Sequence, residues 1–409
     1  MLFLSLLSLF YFRLIDNYYS SGNVLRFDDF GFNSGGIFNI TVSSNKKATF
    51  TLLLANQTEY SSLRVYPYLY RSFCKNKTQA LALLNKTSPK NTYDFEWNDQ
   101  ISSAGIYTPV LINCLNNNSL VYYRIELRFR NPSSFLDFRD EGISANDVTM
   151  SIIYCVFSFV WFINILYVRS LSINICYMFA ILPPIKALSL ALAAATYESL
   201  SCSDSVPNLL FYAHITANSV HLFLFSFFIG LACDGYGVFF EKLQNSSFMN
   251  YGFASFGFSL SMSLINIFDN PDIILYLVFT SLIFGFYYFN LLSQSLSTAV
   301  QIQRRTSFLI VIQKSTHILD FSLSVISCFI LMVTFQCFSI VKELNHNLSD
   351  GIMELIEFAI YAFIAFFFML RKSFNGFDSQ QNCDLQADAC YLSEPSNNEF
   401  VFIRKISSQ

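Results

Sequence analysis

Apolar and polar side chains alternate with a period of two in residues 122–129. Tyr123, Ile125, Leu127 and Phe129 alternate with arginine and glutamate, so the apolar side chains lie on one face of a strand and the charges on the other. Shorter β-rich runs, separated by Gly, Asn and Ser, precede this segment at residues 37–42, 48–54, 63–70 and 106–114. Their number and spacing predict an N-terminal antiparallel β-sandwich.

Beyond residue 147 the pattern changes to long apolar stretches. Each stretch covers about 19–25 residues, which is the length of helix needed to cross roughly 30 Å of hydrocarbon. The fourth stretch is the least apolar, because Gly252, Gly257 and several serines dilute it. We predict a bundle of seven transmembrane helices, at residues 148–168, 173–195, 209–233, 249–268, 273–292, 318–340 and 352–370.

Charged residues follow the same division of the chain. The chain has 409 residues, of which 53% are hydrophobic and 13% charged, and its net charge is -3. Residues 1–147 contain 14 Lys/Arg and 12 Asp/Glu, whereas residues 148–370 contain 7 and 11. This composition argues against a single soluble enzyme, and the lack of a basic surplus argues against nucleic-acid binding. We predict a lumenal domain at 23–147, the helical bundle at 148–372 and a disordered cytosolic tail at 373–409.

The chain begins with an apolar run that has the length of a signal-peptide core. Residues 2–12 are apolar but too few to span a membrane, and Arg13 ends the run. Ser20, Ser21 and Gly22 supply the small residues that cleavage needs. Residues 1–22 are therefore predicted to be a signal peptide, and the alternative is an uncleaved strand or helix.

Sequons and cysteines in the polar N-terminal region are typical of a lumenal domain. Its two cysteines, Cys74 and Cys114, are predicted to form a disulfide that closes about 41 residues and contributes roughly 4 kcal/mol. The alternative is two unpaired thiols. The stretch 78–85 is either a short helix or a glycosylated loop. Five Asn-x-Ser/Thr sequons predict glycosylation at Asn39, Asn56, Asn76, Asn85 and Asn117.

Basic residues in the loops predict the orientation of the spans. If the N-terminal domain is lumenal, the short loops on the lumenal side contain only Lys342, while those on the cytosolic side contain seven basic residues. This bias follows the positive-inside rule. We therefore predict a lumenal N terminus and a cytosolic C terminus, and Asn245 would be cytosolic and unmodified. The seven residues are Arg169, Lys242, Arg304, Arg305, Lys314, Arg371 and Lys372.

Several short motifs resemble those of one membrane-protein family. Lys186-Ala-Leu-Ser-Leu is similar to the Lys-Ser-Leu-Ser-Leu of the Golgi-dynamics (GOLD) domain seven-transmembrane proteins, also called lung seven-transmembrane receptors. Residues 191–197 depart from the His-Ala-Ile-Asp-Tyr-like continuation of that family. The resemblance covers roughly residues 100–372. Its other motifs, in chain order, are Gly105-Ile-Tyr, Asn113-Cys114, Asn131-Pro132, Gly142-Ile-Ser-Ala-Asn-Asp and Asp234-Gly-Tyr-Gly.

The resemblance implies a lumenal β-sandwich of GOLD type on a seven-helix bundle, with a part in membrane or protein trafficking. It implies residence in Golgi or endosomal membranes, and the plasma membrane is the alternative. In this hypothesis the partners are membrane lipid, a lumenal protein or glycan, and cytosolic trafficking machinery. The alternative functions are an orphan signalling receptor that acts through a G protein, and a channel or transporter.

Catalytic and metal-binding motifs give no support for an enzyme. The chain has no His-Glu-x-x-His pair, Gly-x-Ser-x-Gly elbow, phosphate-binding Walker loop or dinucleotide fingerprint. Its four histidines and scattered cysteines have no metal-ligand spacing. We therefore expect neither enzymatic activity, nor a cofactor, nor a metal centre.

Ionisable side chains within the predicted spans are the candidate functional residues. Each costs about 2.5–3.5 kcal/mol to insert at the centre of a spanning helix. Lys186 lies about 20 Å into the second span, and His214 and His221 lie in the third. Glu357 lies in the lumenal part of the seventh span, with Glu354 one turn earlier. The hypothesis is that Lys186 and Glu357 face a water-containing cavity near His221, where Lys186 contacts an anionic headgroup or ligand. The alternative is a structural polar contact that fixes helix packing.

Overall fold

The structure is a computed structural model in which most strands precede the helices. One short antiparallel pair, Tyr391–Leu392 with Phe402–Ile403, follows them, within the stretch 373–409 that was predicted to be a disordered tail. The structure divides the chain into two compact units. The β unit contains the strands up to Gly142 together with residues 197–207, and the helical unit contains the helices from Ile143 onward apart from residues 197–207. The residues described are 14–20, 24–27, 29–56, 84–87, 92–114, 121–167, 174–203, 206–236, 245–265, 267–268, 271–305, 309–342, 346–368, 391–392 and 402–403.

The described part of the β unit forms two antiparallel sheets. The first has the strand order β1-β9-β4-β7, and the second has the order β2-β8-β5-β6, with β3 also paired to β8. The long central strand β4 pairs with β7 on one side and β9 on the other. The strands are β1 (Leu14–Ser20), β2 (Val24–Arg26), β3 (Phe30–Phe32), β4 (Ile37–Ala48), β5 (Phe50–Asn56), β6 (Leu84–Thr87), β7 (Thr92–Gln100), β8 (Gly105–Asn113) and β9 (Val121–Arg130).

One hydrophobic cluster contains side chains from both sheets. Phe38 and Ile40 of β4 and Trp97 of β7 belong to it, together with Leu52 and Leu54 of β5, and all five are buried. Trp97 packs edge-on against Phe38, with ring centroids 4.8 Å apart. The alternating apolar positions of the strands therefore supply a shared core for the β unit.

The strand predictions agree with the structure wherever the residues are described. In β9, Ile125, Leu127 and Phe129 are buried while Arg124 and Arg128 are exposed, so the predicted alternation is confirmed. The predicted strand at residues 63–70 lies outside the described residues. Of the stretch 78–85, only Leu84 and Asn85 are described, and they belong to β6. Strand β1, which falls within the predicted signal peptide, pairs with β9, and cleavage of that peptide stays a prediction.

A network of polar contacts ties the segment after β9 to strand β3. The Gly31 amide donates to Asp137 Oδ2 at 2.7 Å, and the Arg139 guanidinium donates both to the Asp137 carboxylate and to the Asp29 carbonyl. The Asn131 amide donates to the Gly31 carbonyl at 3.1 Å. Asp137 and Asn131 are buried, so these contacts satisfy polar groups that water does not reach.

The helical unit contains a helix at each of the seven predicted apolar stretches. When only the described residues are considered, five of them, α1, α2, α3, α5 and α7, are long and apolar enough to cross a membrane. This is compatible with a multi-pass membrane protein. In α6, the apolar segment found among the described residues is shorter and covers Ser315–Leu331. The helices are α1 (Ile143–Tyr167), α2 (Asn174–Cys202), α3 (Asn208–Cys233), α4 (Asn245–Ile265), α5 (Pro271–Arg305), α6 (Leu309–Lys342) and α7 (His346–Phe368).

Successive helices from α3 to α7 pack side by side, and α7 also contacts α1. Helix α2 joins α1 through the Ser151 hydroxyl, which donates to the Ala187 carbonyl at 2.8 Å. Helix α2 stays helical through Pro183 and Pro184. The arrangement brings α1, α2, α3 and α7 together around one region of the bundle.

Serines line the buried face of helix α4. Ser255, Ser259, Ser261 and Ser263 are all buried. The Ser261 hydroxyl donates to the Gly257 carbonyl of its own helix, and the Ser259 hydroxyl donates to the Ser219 carbonyl of α3 at 2.7 Å. Small side chains bonded in this way allow close helix packing in an apolar environment.

The close contact between α3 and α4 gives a stability prediction at Gly230. A Cβ atom added at Gly230 would lie 2.4 Å from the ring of Tyr251, and that ring is held in place by the Ser295 hydroxyl 2.7 Å from its own hydroxyl. We expect Gly230→Ala to destabilise the protein by about 1–3 kcal/mol, the usual cost of overpacking. Thermal unfolding in detergent measures it. Gly252→Ala is the control, since its added Cβ meets only an ordinary contact at 3.7 Å, and equal melting temperatures for the two variants would contradict the prediction.

Candidate functional site

Lys186 is buried within the helical unit and binds two carboxylates of α7. Its Nζ donates to Glu354 Oε1 at 2.9 Å and to Glu357 Oε2 at 2.8 Å. Only 5% of the Lys186 side chain is exposed. The structure therefore brings together Lys186 and Glu357, as hypothesised from the sequence, and adds Glu354 as a second partner.

Histidines of α3 extend this cluster. His221 Nε2 lies 2.6 Å from the hydroxyl of Tyr361 on α7 and 3.5 Å from Glu357 Oε1. His214, two turns earlier, is also buried and interacts electrostatically with Lys186. All four predicted site residues thus belong to one cluster, which we call the ionic cluster: Asp147, Lys186, His214, His221, Asp350, Glu354, Glu357 and Tyr361.

The ionic cluster also contains two carboxylates, Asp147 and Asp350, that the sequence analysis did not assign to it. Helix α1 begins at Ile143, five residues before the predicted span, so Asp147 lies on its buried face. Asp147 interacts electrostatically with Asp350, Glu354 and Lys186. Lys186 therefore interacts with Asp147, Glu354 and Glu357, and Asp350 interacts in turn with Asp147 and Glu354.

The spacing along α7 explains why its acidic residues meet the same neighbours. Asp350, Glu354, Glu357 and Tyr361 follow one another at intervals of four, three and four residues, which places them on one face of the helix. They lie about 6, 12, 16 and 22 Å from the first residue of α7 at a rise of 1.5 Å per residue. The polar face therefore leads from the start of the helix to its middle.

Aromatic side chains fill the bundle beyond the ionic cluster. The rings of Phe179 on α2, Phe321 on α6 and Phe368 on α7 are mutually in contact, with centroids 4.8–6.4 Å apart. All three side chains are buried. This aromatic layer lies toward the C-terminal end of α7, so the polar face of the helix leads into apolar packing.

A second, smaller polar site lies where α3 ends. The Ser295 hydroxyl donates to Asp234 Oδ1 at 2.7 Å, and the Tyr251 hydroxyl lies 2.7 Å from the same serine oxygen. Burial raises the pKa of Asp234 above its usual value, while the hydrogen bond from Ser295 opposes the shift. Gly235, which follows, has a φ of 85°, a conformation that glycine adopts without strain. These contacts join α3, α4 and α5.

Three of the five predicted glycosylation sites are among the described residues. Asn39 lies in β4, where its Nδ2 donates to Glu96 Oε1 at 2.9 Å, Asn56 ends β5, and Asn85 lies in β6. Asn76 and Asn117 lie outside the described residues. Glycosylation itself stays a prediction at all five.

The predicted disulfide is described at one of its two cysteines. Cys114 follows β8, and its amide donates to the Thr49 carbonyl at 2.9 Å. Cys74 lies outside the described residues, so the pairing of the two cysteines stays a prediction.

Charge balance bears on the ligand that was hypothesised for Lys186. Both carboxylates bonded to its ammonium already neutralise that charge, and two more acidic groups lie nearby. An anion would have to displace one of the two carboxylates that bind this ammonium. The anionic ligand at Lys186 therefore stays a prediction.

The sequence signal for the additional residues was present but weak. Glu354 was named from its place one turn before Glu357, and Asp350 could have been found from the same spacing. Asp147 could not be found in this way, because it precedes the apolar stretch of α1. Tyr154 is a fully buried residue of α1. Nothing in the sequence distinguishes it from any other aromatic residue of an apolar helix.

Comparison with known proteins adds no identification to this geometry. In the described residues, no three His, Cys, Asp or Glu side chains are grouped so that they could hold a metal ion. No protein-family model matches the chain, and no curated protein is similar enough to count as a relative.

Proposed function

We propose that this is a seven-span protein of the Golgi or endosomal membranes, with a lumenal β-sandwich of GOLD type, that acts in membrane or protein trafficking. The observation that carries the proposal is the order of the two units, a two-sheet β unit followed by helices at each predicted apolar stretch. The sequons in the first unit and the basic residues in alternate loops support a lumenal N terminus and a cytosolic C terminus.

The proposed contact surface for a lumenal protein or glycan is the outer face of the sheet formed by β4, β7 and β9. On this face Arg124, Arg128 and Arg130 of β9 are exposed on one side of β4, and exposed acidic and amide side chains of β7 lie on its other side. Exposed mixed charge of this kind gives specificity rather than large affinity. Trafficking machinery would engage the cytosolic loops and tail.

A continuous ion path is less well supported than a trafficking role. The ionic cluster would provide the polar half of a path, but the contacting rings of Phe179, Phe321 and Phe368 occupy the bundle beyond it. A channel would have to open this layer. We therefore favour a cluster that is closed at one end over a channel or transporter.

Location and loss of function test the trafficking proposal. The tagged protein is expected to coincide with Golgi or endosomal markers, and its removal is expected to slow delivery of secretory or endocytic cargo. Replacement of Arg124, Arg128 and Arg130 by alanine should weaken cargo delivery without changing location. A protein confined to the cell surface, with cargo delivery unchanged on its removal, would contradict the proposal.

Glycosylation gives a separate prediction on the compartment of the β unit. Enzymatic removal of N-glycans is expected to lower the apparent mass of the full-length protein on a gel. Stepwise Asn→Gln replacement at Asn39, Asn56, Asn76, Asn85 and Asn117 should remove that shift in steps. Asn245→Gln, on the cytosolic side, is the control and should change nothing. A protein whose mass is insensitive to the enzyme would argue against a lumenal β unit.

A further inference from the structure

Tyr154 of α1 is a fully buried phenol whose hydroxyl has no hydrogen-bond partner among the described residues. Its ring packs edge-on against two aromatic side chains of α7, with centroids 5.2 Å from Tyr361 and 5.5 Å from Phe358. It also interacts electrostatically with Glu357 and Glu354. Buried polar groups are seldom left without a partner, so we expect this hydroxyl to bond to a group that the described side chains do not provide.

The two carboxyl groups that bind Lys186 each keep one oxygen without a partner. Lys186 Nζ donates to Glu354 Oε1 and to Glu357 Oε2. The other two oxygens, Glu354 Oε2 and Glu357 Oε1, are buried and accept no hydrogen bond from the described residues. His221 Nε2 lies 3.5 Å from Glu357 Oε1, but its short contact, at 2.6 Å, is with the hydroxyl of Tyr361. Both oxygens therefore still need a donor.

A water molecule has the hydrogen-bonding groups that these three atoms need. A buried water usually makes about three hydrogen bonds to polar groups that have no other partner. The Tyr154 hydroxyl can donate to the oxygen of the water, and the two hydrogens of the water can be donated to Glu354 Oε2 and Glu357 Oε1. A metal ion fits less well, since no three His, Cys, Asp or Glu side chains among the described residues are grouped to hold one.

We propose that α1, α2 and α7 enclose an internal water site, in which at least one ordered water bridges the Tyr154 hydroxyl to the unpartnered oxygens of Glu354 and Glu357. The water joins α1 to the contacts between α2 and α7. It also lowers the cost of burying the charged groups, because it replaces part of the hydration that burial removes. In the hypothesis from sequence, Lys186 contacts the ligand, whereas here a phenol and two carboxyl groups hold it. The proposal does not depend on the trafficking function.

Radiolytic footprinting of the full-length protein in lipid nanodiscs tests the site. X-rays generate hydroxyl radicals from water where it lies, including water inside a protein, and mass spectrometry locates the oxidised side chains. Tyr251 is the matched control, because it is also buried and its hydroxyl is bonded to Ser295. Each rate is divided by that of the same peptide in the denatured protein. Tyr154 should then be oxidised several times faster than Tyr251, and equal rates for the two tyrosines would overturn the proposal.

Removal of the hydroxyl gives a second test, in which the direction of the effect decides. Tyr154→Phe keeps the ring and removes the bond to the water, so we expect the melting temperature to fall by about 2–4 °C, the usual effect of one hydrogen bond. A phenol buried without any partner would respond in the opposite direction, because its removal relieves a desolvation cost. Tyr276→Phe, at an exposed position of α5, is the control and should change nothing.

The two tests decide the proposal together. An unchanged or raised melting temperature for Tyr154→Phe would contradict the water site. If this variant fails to fold, footprinting of the unmodified protein still decides, since it needs no substitution.

Discussion

Replacement of Lys186 by methionine is expected to lower the stability of the helical unit by about 3–5 kcal/mol, the usual cost of removing one partner from a buried ion pair. The reason is that the carboxyls of Glu354 and Glu357 would lose the ammonium that both of them bind, so each would be left charged without that partner or would have to take up a proton. Trp161 of α1 is fully buried, and the chain has just two tryptophans. Fluorescence unfolding of a Trp97→Phe background therefore reports the helical unit.

A combined variant provides the control for this experiment. Adding Glu354→Gln and Glu357→Gln to Lys186→Met removes the uncompensated charges and should recover more than half of the lost stability. Lys186→Arg keeps the charge and should cost less than Lys186→Met. A loss below about 1 kcal/mol for Lys186→Met, the range of an exposed ion pair, would show that the contacts to α7 are not buried as described.

Replacement of Asp137 by alanine is expected to lower the stability of the β unit by about 3 kcal/mol. The change would leave the buried Gly31 amide without its acceptor and the Arg139 guanidinium without its carboxylate, and each loss costs about 1–3 kcal/mol. Trp97 lies in the core of this unit, so denaturant unfolding in a Trp161→Phe background reports the effect.

An exposed carboxylate of the same unit gives the matched control. Asp99 of β7 is exposed and bonds the amide of its neighbour Gln100. Asp99→Ala should change stability by less than about 0.5 kcal/mol, as is usual for surface positions. Equal unfolding midpoints for Asp137→Ala and Asp99→Ala would mean that the contacts to β3 contribute little to the fold.

Long apolar stretches allowed the helices to be predicted from sequence more completely than the strands. Each of the seven predicted stretches is a helix, although α1 begins five residues early and α5 extends to Arg305. The helix ends are polar, and hydropathy does not detect them. Asp147 was therefore assigned to the end of the predicted lumenal domain at 23–147.

Short strands depend on partners that are distant in the chain, which limits their prediction. Strand β9 was found because its alternation covers several residues. Strand β7 was missed although Phe95 and Trp97 alternate with Asp94 and Glu96 in the same way, so this signal was available. By contrast, β3 has three consecutive buried residues and no alternation that could reveal it.

The candidate site could be predicted in part because charge is rare in apolar helices. Lys186 and Glu357 were paired from their depths alone. The contributions of Tyr154 and Tyr361 depend on how α1 and α7 rotate against each other, which helix packing decides and a single sequence does not contain. The interactions of Asp147 with Lys186, Asp350 and Glu354 became visible only in the structure.

The central claim is a seven-span protein with a lumenal β unit. The most direct test is to find on which side of the membrane the connection between α5 and α6 lies. An epitope inserted at residues 306–308 and another at the C terminus can be digested by protease in sealed microsomes, with the β unit followed in the same sample. Seven spans predict that both epitopes are digested while the β unit is protected. If only α1, α2, α3, α5 and α7 cross the membrane, the epitope at 306–308 is lumenal, and its protection would contradict the account.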